Sequence, residues 1–199
     1  MKQYTQAGML YVKGEFWEKA AASFLKGKES NRVVEIIDKV DAVKIHYAFA
    51  KTREAEGNID DALTAYGRAG DEDARIRLLL STGRNIEAEE IVKETGSLDG
   101  ADRIARYYIK KGDYGSAIEF LVLSDCNTEA FQLAQQHSQM ETYADIIADR
   151  GGIDDFKSIA IHFENDGNFL SVYIILSIIA KIISSLVNFS SKPASTTGL

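Results

Sequence analysis

The chain is poor in the residue types that most often mark chemistry or interrupt structure. Among its 199 residues there is one cysteine, Cys126, one proline, Pro193, and three histidines. A lone thiol excludes an internal disulfide and any zinc site built on paired cysteines. No charged-then-apolar leader stands at Met1-Lys2-Gln3, and the expectation is a reducing cytosol. Pro193 lies beyond the last helix-like run, so glycine is left as the main breaker of the interior. Positive charge is also in deficit, with 23 Lys plus Arg against 30 Asp plus Glu, a net charge of −7. No basic run exceeds a few residues, which argues against nucleic acid or an anionic membrane as partner of the main body.

What is present is helix-forming sequence cut by glycine turns. The stretch from Arg106 to Ile147 sets the pattern. Gly112-Asp113-Tyr114 separates two helix-like runs. Gly112 can close one helix in a left-handed conformation, Asp113 can cap the next, and Ala117 is small enough for two helices to approach closely. The phrase recurs upstream: Gly57 with Ala62 and Tyr66, Gly83 with Ala88 and Val92, then Gly112 with Ala117 and Leu121. In each, the alanine falls at a helix crossing and the larger residue one turn later fills the adjoining groove. The first hairpin is looser, because Gly14 precedes Ala20 by six residues. Glycine spacings of 26 and 29 residues are shorter and less even than the roughly 34 of a regular tetratricopeptide repeat. The fold class expected is all-α, an irregular TPR-like α-solenoid of antiparallel helix pairs.

Helical periodicity places further runs at 3–13, with Ala7, Leu10 and Tyr11 on one face, and from Phe16 to Lys26, striped by Phe16, Trp17, Ala20 and Phe24. A continuous run is expected over 32–40, and another over 42–56 with Val43, His46, Tyr47 and Ala50 on its packed stripe. Pairs follow at 59–69, 73–81, 86–94 and 100–111, and then helices at 127–138, 141–150 and 154–166. Three segments result: a helical-repeat region over 1–168, an apolar helical tail over 169–190, and a disordered end over 191–199.

At the tail the grammar changes. Gly167-Asn168-Phe169 promises a hairpin, but Val172 stands where a small residue is expected, and no acidic residue follows. The run 169–189 is long enough to span a bilayer, yet Ser177, Lys181, Ser184, Ser185 and Asn188 form one polar stripe on it. Three readings stand: a helix folded back on the end of the array, a tail anchor, or sequence foreign to the repeat region. Failure of the pattern in mid-hairpin favours the third.

No catalytic constellation emerges. His46, His137 and His162 sit on different helices without a second ligand at metal-binding spacing, and read as half-buried helix residues. Cys126 has no neighbouring base and reads as a small turn residue. Asp60-Asp61 and Asp71-Glu72-Asp73 stand at helix starts, where carboxylates complement the helix dipole. Phe16, Trp17, Tyr66, Tyr107, Tyr108, Tyr114 and Phe120 read as core rather than as a base-stacking platform. The chain is therefore expected to be non-enzymatic, with no cofactor and no metal.

Long phrases within 44–147, among them ETGSLDGA, GDYGSAIEFLV and AFQLAQQH, closely resemble the helical region of the WD-repeat-containing protein 19 family. The likeness continues more weakly over 3–40 and 155–170. It implies a scaffold subunit of intraflagellar transport complex A, acting in retrograde ciliary transport, cilium assembly and ciliary import of membrane proteins. Its implied partners are the other complex A subunits and, indirectly, dynein and ciliary membrane cargo; its implied location is cytoplasm and cilium, including axoneme and ciliary base. The resemblance supplies no catalytic residue and no partner-contact residue. Two alternatives stand beside it, a coat-like vesicle-trafficking scaffold and a tail-anchored membrane protein using 169–189.

Overall fold

The computed structural model describes residues 2–148, 150–168, 171–173, 175–177 and 180. Among them no strand occurs, and the chain is an all-α, TPR-like array. It divides into two compact units, residues 1–100 and 101–199.

The first unit runs α1 (Lys2–Lys13), α2 (Trp17–Lys26), α3 (Ser30–Val34), a 3-10 turn (Ile37–Lys39), α4 (Val43–Ala55), α5 (Ile59–Ala69), α6 (Glu72–Ser81) and α7 (Asn85–Thr95). α8 (Leu98–Lys111) begins before the boundary between the units and ends after it. The second unit continues with α9 (Tyr114–Leu123), α10 (Asn127–Gln136), α11 (Met140–Ala148) and α12 (Ile153–Asn165). The close pairs are α1 with α2, α4 with α5, α6 with α7, and α9 with α10.

One joint is used over and over. A residue with positive φ ends a helix, and the next residue donates its backbone N–H to the carbonyl five positions before it. The bonds run Phe16→Tyr11, Glu29→Phe24, Asn58→Arg53, Asp71→Tyr66, Arg84→Leu79, Asp113→Tyr108, Cys126→Leu121, Gln139→Ala134 and Asn168→Phe163, all at 2.8–3.1 Å. This is the Schellman closure, which satisfies carbonyls orphaned at a helix end. In seven of these joints, at Phe16, Glu29, Asn58, Asp71, Arg84, Asp113 and Cys126, the donor is itself the N-cap of the following helix. Asp71 and Asp113 add a side-chain cap, accepting from the N–H of Ala74 and Ser116 at 3.0 and 3.2 Å.

The joints set a shorter and steadier rhythm than the glycines imply. Positive φ falls at 57, 70, 83 and 96, steps of 13 residues, and again at 112, 125 and 138. The uneven spacing of 29 between Gly83 and Gly112 arises because α8 is 14 residues long where α6 and α9 have 10. Four joints have no glycine at the left-handed position: Glu15, Lys28, Asp125 and Ser138 adopt φ of 54 to 61°. Glu15, not Gly14, is thus the left-handed residue of the first hairpin. Counted from it, Ala20 lies five positions on, as in the other joints.

That fifth position is where the chain packs hardest. Ala20, Val33, Ala62, Ala88, Ala117 and Ala130 are 0% exposed, and Tyr143 is 1%. After Gly70 the position holds Arg75, half-buried, and Ala74 takes the packed place one residue earlier.

Several expected faces are turned differently. Leu10 is exposed and the buried position of α1 is Gly8, where an added Cβ would lie 2.5 Å from the Phe24 ring. Phe16 is exposed as an N-cap rather than packed in the stripe of α2, its ring edge-on to Tyr11. On α4, Val43 and Tyr47 face outward, and His46, Phe49, Ala50 and Arg53 are buried instead. The run 32–40 is not one helix: α3 stops at Val34 and the chain is extended at Val40, with φ −107° and ψ 121°. Five β-branched residues in eight positions, Val33, Val34, Ile36, Ile37 and Val40, crowd a helical turn and favour this break.

The hairpin turn at Gly167 does form. Gly167 has φ +70°, Ser171 N–H donates to Asn168 Oδ1 at 3.3 Å, and residues 171–173 and 175–177 are helical, with Ile175 buried. Most of the run 169–190 and all of 191–199 lie outside the described residues. Among the described residues no helix is long and apolar enough to cross a membrane.

These joints predict opposite effects at like positions. Gly83→Ala forces a Cβ into a left-handed residue and is expected to cost about 1 kcal/mol. Lys28→Gly relieves that strain and is expected to raise stability by up to about 1 kcal/mol. Ala88→Leu overfills a closed crossing and is expected to cost roughly 1–3 kcal/mol. Urea unfolding midpoints of the three variants check all three signs.

Candidate interaction surface

Polar side chains link helices that are two joints apart in sequence. Arg53 on α4 is 7% exposed and reaches three ways. Its Nε donates to Asp61 Oδ2 at 2.9 Å, and Nη1 donates to Glu56 Oε2 at 2.9 Å and to Asn31 Oδ1 at 3.0 Å. Ser30 Oγ donates to the same Glu56 carboxylate at 2.7 Å. Burial alone would pull the Arg53 guanidinium down, but the Asp61 and Glu56 carboxylates more than reverse it. Beside this node opens a polar cleft of about 550 Å³, rimmed by Lys2, Thr5 and Glu29. Thr5 Oγ1 and Arg32 Nε both donate to Glu29, at 2.9 and 2.7 Å, and hold its carboxyl below the usual range, Arg32 most.

Glu54, the next residue on α4, accepts from Tyr66 Oη at 2.6 Å and from Arg77 at 2.8 and 2.9 Å. One carboxylate thereby ties α4 to α5 and α6. Burial, and then the Glu54 carboxylate, push Tyr66 up to about 12, and Arg77 followed by Tyr66 holds Glu54 low. Farther along, Arg84 at the cap of α7 donates to Asp60 on α5 at 2.6 Å and to both oxygens of Glu87 at 2.6 and 2.7 Å. A cleft of about 310 Å³ lies there, bordered by Asp60, Glu87, Glu90 and Glu94.

The second unit repeats the device. Arg106 on α8 pairs with Asp102 at 2.9 Å and forks onto Glu129 of α10, Nη2 to Oε2 at 2.8 Å. Asn127 Nδ2 donates to Asp155 Oδ2 at 3.3 Å. In sequence these links span 22 residues for Arg53–Asn31, 23 for Glu54–Arg77 and Arg106–Glu129, 24 for Asp60–Arg84 and 28 for Asn127–Asp155. Forked arginine–carboxylate pairs have strict geometry, so they fix which helix sits beside which. Exposed pairs add little net stability, and the apolar crossings carry that load.

Each residue singled out from the repeat pattern serves its own joint. Gly57, Gly83 and Gly112 have φ of +79, +77 and +76°; Tyr66, Val92 and Leu121 are 1, 3 and 0% exposed. They do not converge on one site. Pattern reading missed Arg53, Glu54 and Asp61, whose sequence signal is only a charge of opposite sign 8 residues or two joints away. It also treated His46 as half-buried. His46 is 3% exposed, and its Nε2 donates to Val40 O at 2.6 Å.

A family profile described as the IFT140/IFT172 TPR domain matches residues 2–194. The match runs past residue 170, where the resemblance read from the sequence stopped. The chain is 47% identical over 168 residues to WD repeat-containing protein 19 of Mus musculus, covering 83% of this chain and 12% of the relative. It is 45% identical over 172 residues to the Homo sapiens protein of the same name, covering 85% and 13%. To WD repeat-containing protein dyf-2 of Caenorhabditis elegans it is 41% identical over 152 residues, covering 76% and 11%. The chain thus spans 11 to 13% of the length of these relatives.

The Glu54 node yields a pH dependence of definite sign. Its carboxyl is held below the ordinary value near 4.5, so the folded chain binds fewer protons in acid than the unfolded one. Its contribution is present above 4.5 and is lost as the pH falls through the depressed folded value. Urea midpoints are expected to be flat near neutrality and to drop in acid, with Glu54→Gln flattening part of the drop. Tyr66 has the opposite sense: its contribution holds below the ordinary value of 10.0 and fades as the pH rises toward about 12. Ultraviolet titration is expected to lose a phenol titrating near 12 in Tyr66→Phe.

Proposed function

The chain belongs to the IFT140/IFT172 TPR domain family, and from that premise we propose that it is a non-catalytic scaffold of ciliary transport, working in intraflagellar transport complex A. The observation that carries the reading is the 47% identity to WD repeat-containing protein 19 over 168 residues. An array of short helices whose joints and polar links fix its register suits this work. Its outward side chains are then held in place for extended contact with other subunits. Exposed apolar residues such as Val43, Tyr47, Ile86 and Leu98 supply contact area, and Glu87, Glu90 and Glu94 along α7 supply an acidic edge that favours basic partner segments.

In finer terms, the scaffold serves retrograde transport, cilium assembly and import of membrane proteins. Its direct partners are complex A subunits, and dynein and membrane cargo are reached through them. Cytoplasm and cilium are its places of action. The region 1–168 carries the assembly surface, and the apolar run 169–190 is dispensable for it.

Affinity isolation of the tagged 199-residue chain from ciliated cells, beside a version ending at Leu170, tests this reading. Mass spectrometry is expected to find complex A subunits with both. Their absence from both would overturn the proposal, and their loss from the shorter form alone would move the assembly surface into the tail.

A further inference from the structure

The break in α3 leaves a second kind of opening in the first unit. Where other joints are followed by a helix of about ten residues, α3 has five, and the chain turns extended at Val40. The space left against α4 and α5 is a cleft of about 180 Å³. Val34, Ile37 and Phe49 give it apolar walls, and His46 forms part of its lining. Across its rim, Arg68 Nη2 and Asp38 Oδ1 meet at 2.7 Å in a solvent-exposed pair that costs little to open.

His46 gives the cleft its chemistry. Val40 O can only accept, so the 2.6 Å contact assigns the proton to Nε2 and leaves Nδ1 of the neutral ring as an acceptor. No protein group among the described residues hydrogen-bonds Nδ1, although the atom is buried and the residue is 3% exposed. A buried acceptor without a donor is costly to maintain, and a ligand that brings a donor recovers that cost. The volume lies below the roughly 300 Å³ at which pockets begin to hold drug-sized molecules, and it suits a single side chain. Asp38 and Asp61 on its border disfavour an anion.

We propose that this cleft is a docking pocket for the indole of a tryptophan presented by a partner protein, its N–H donating to His46 Nδ1 and its rings lying against Val34, Ile37 and Phe49. Indole nitrogen is a donor only, so it satisfies an acceptor without leaving a lone pair of its own unpaired. Tryptophan is also among the side chains most enriched at interface anchors. The indole comes from another molecule: the single tryptophan of this chain, Trp17, is held elsewhere, with Lys39 Nζ 4.1 Å over its ring. The inference deepens the scaffold reading, on which it rests only for the source of the indole. The pocket itself is testable on the isolated chain.

The test titrates the intact 199-residue chain, with nitrogen-labelled histidine, with indole and separately with N-methylindole, read by NMR. Indole is expected to shift the His46 imidazole signals saturably, and N-methylindole, which has no donor, to bind at least about tenfold more weakly. Val34→Phe fills the cleft without touching His46 and is expected to abolish the response with unchanged circular dichroism. Equal binding of the two probes, a silent His46, or full binding by Val34→Phe would each overturn the pocket. Recovery of complex A subunits by the same chain reads the scaffold function separately, so either idea can fail alone.

Discussion

Each joint hangs on one backbone residue with positive φ, followed at once by the cap of the next helix. The Schellman bond closes one helix and the same peptide opens another, so the turn has almost no freedom in length or direction. Because of that, the fifth residue past the left-handed position arrives at a helix crossing, and it is shut from solvent at Ala20, Ala62, Ala88, Ala117 and Ala130 alike. The small side chain there is a consequence of the turn as much as a condition for it. Where the position holds a large residue, as at Tyr143, the neighbour makes room and the phenol is pushed far up by burial.

Polar links work at a coarser scale. Crossings of alanine with aliphatic neighbours are alike from joint to joint and do not by themselves distinguish one neighbour from another. The forks from Arg53, Arg77, Arg84 and Arg106 do, because each needs a carboxylate at one place on one helix. Apolar area supplies the energy of the stack and directed hydrogen bonds supply its register. The same division explains why the charged residues at helix starts have more to do than meet a dipole: Asp60 and Asp61 each hold an arginine from another part of the unit.

How much of this was legible depended on whether a side chain announced the backbone. Glycine followed five residues on by alanine revealed the joints at Gly57, Gly83 and Gly112, and from them the fold class. The joints at Lys28, Asp125 and Ser138 were invisible, since nothing in those side chains demands positive φ and the packing on either side imposes it. Helix faces were misassigned where periodicity counted apolar residues alone, as on α4, where buried Phe49 and Arg53 displace Val43 and Tyr47 from the core. The broken run at 32–40 was readable in principle from its β-branched crowding, but a helical spacing of three valine and isoleucine side chains outweighed it. The polar nodes had no local signature, because most of their partners lie two joints away.

The steady step of 13 residues carries a rule about parity. Within a unit each joint reverses the direction of the chain, so adding or removing one helix with its turn would send the later helices of that unit the opposite way and exchange their outward faces. Two such steps restore the direction. An array built from this joint can therefore lengthen or shorten by whole pairs while keeping its surfaces in order, and a change by a single helix has to be absorbed elsewhere. The broken α3 with its 3-10 turn, and the lengthened α8, are the two places in 2–111 where the chain departs from the step, and hence where such a change of phase can be accommodated.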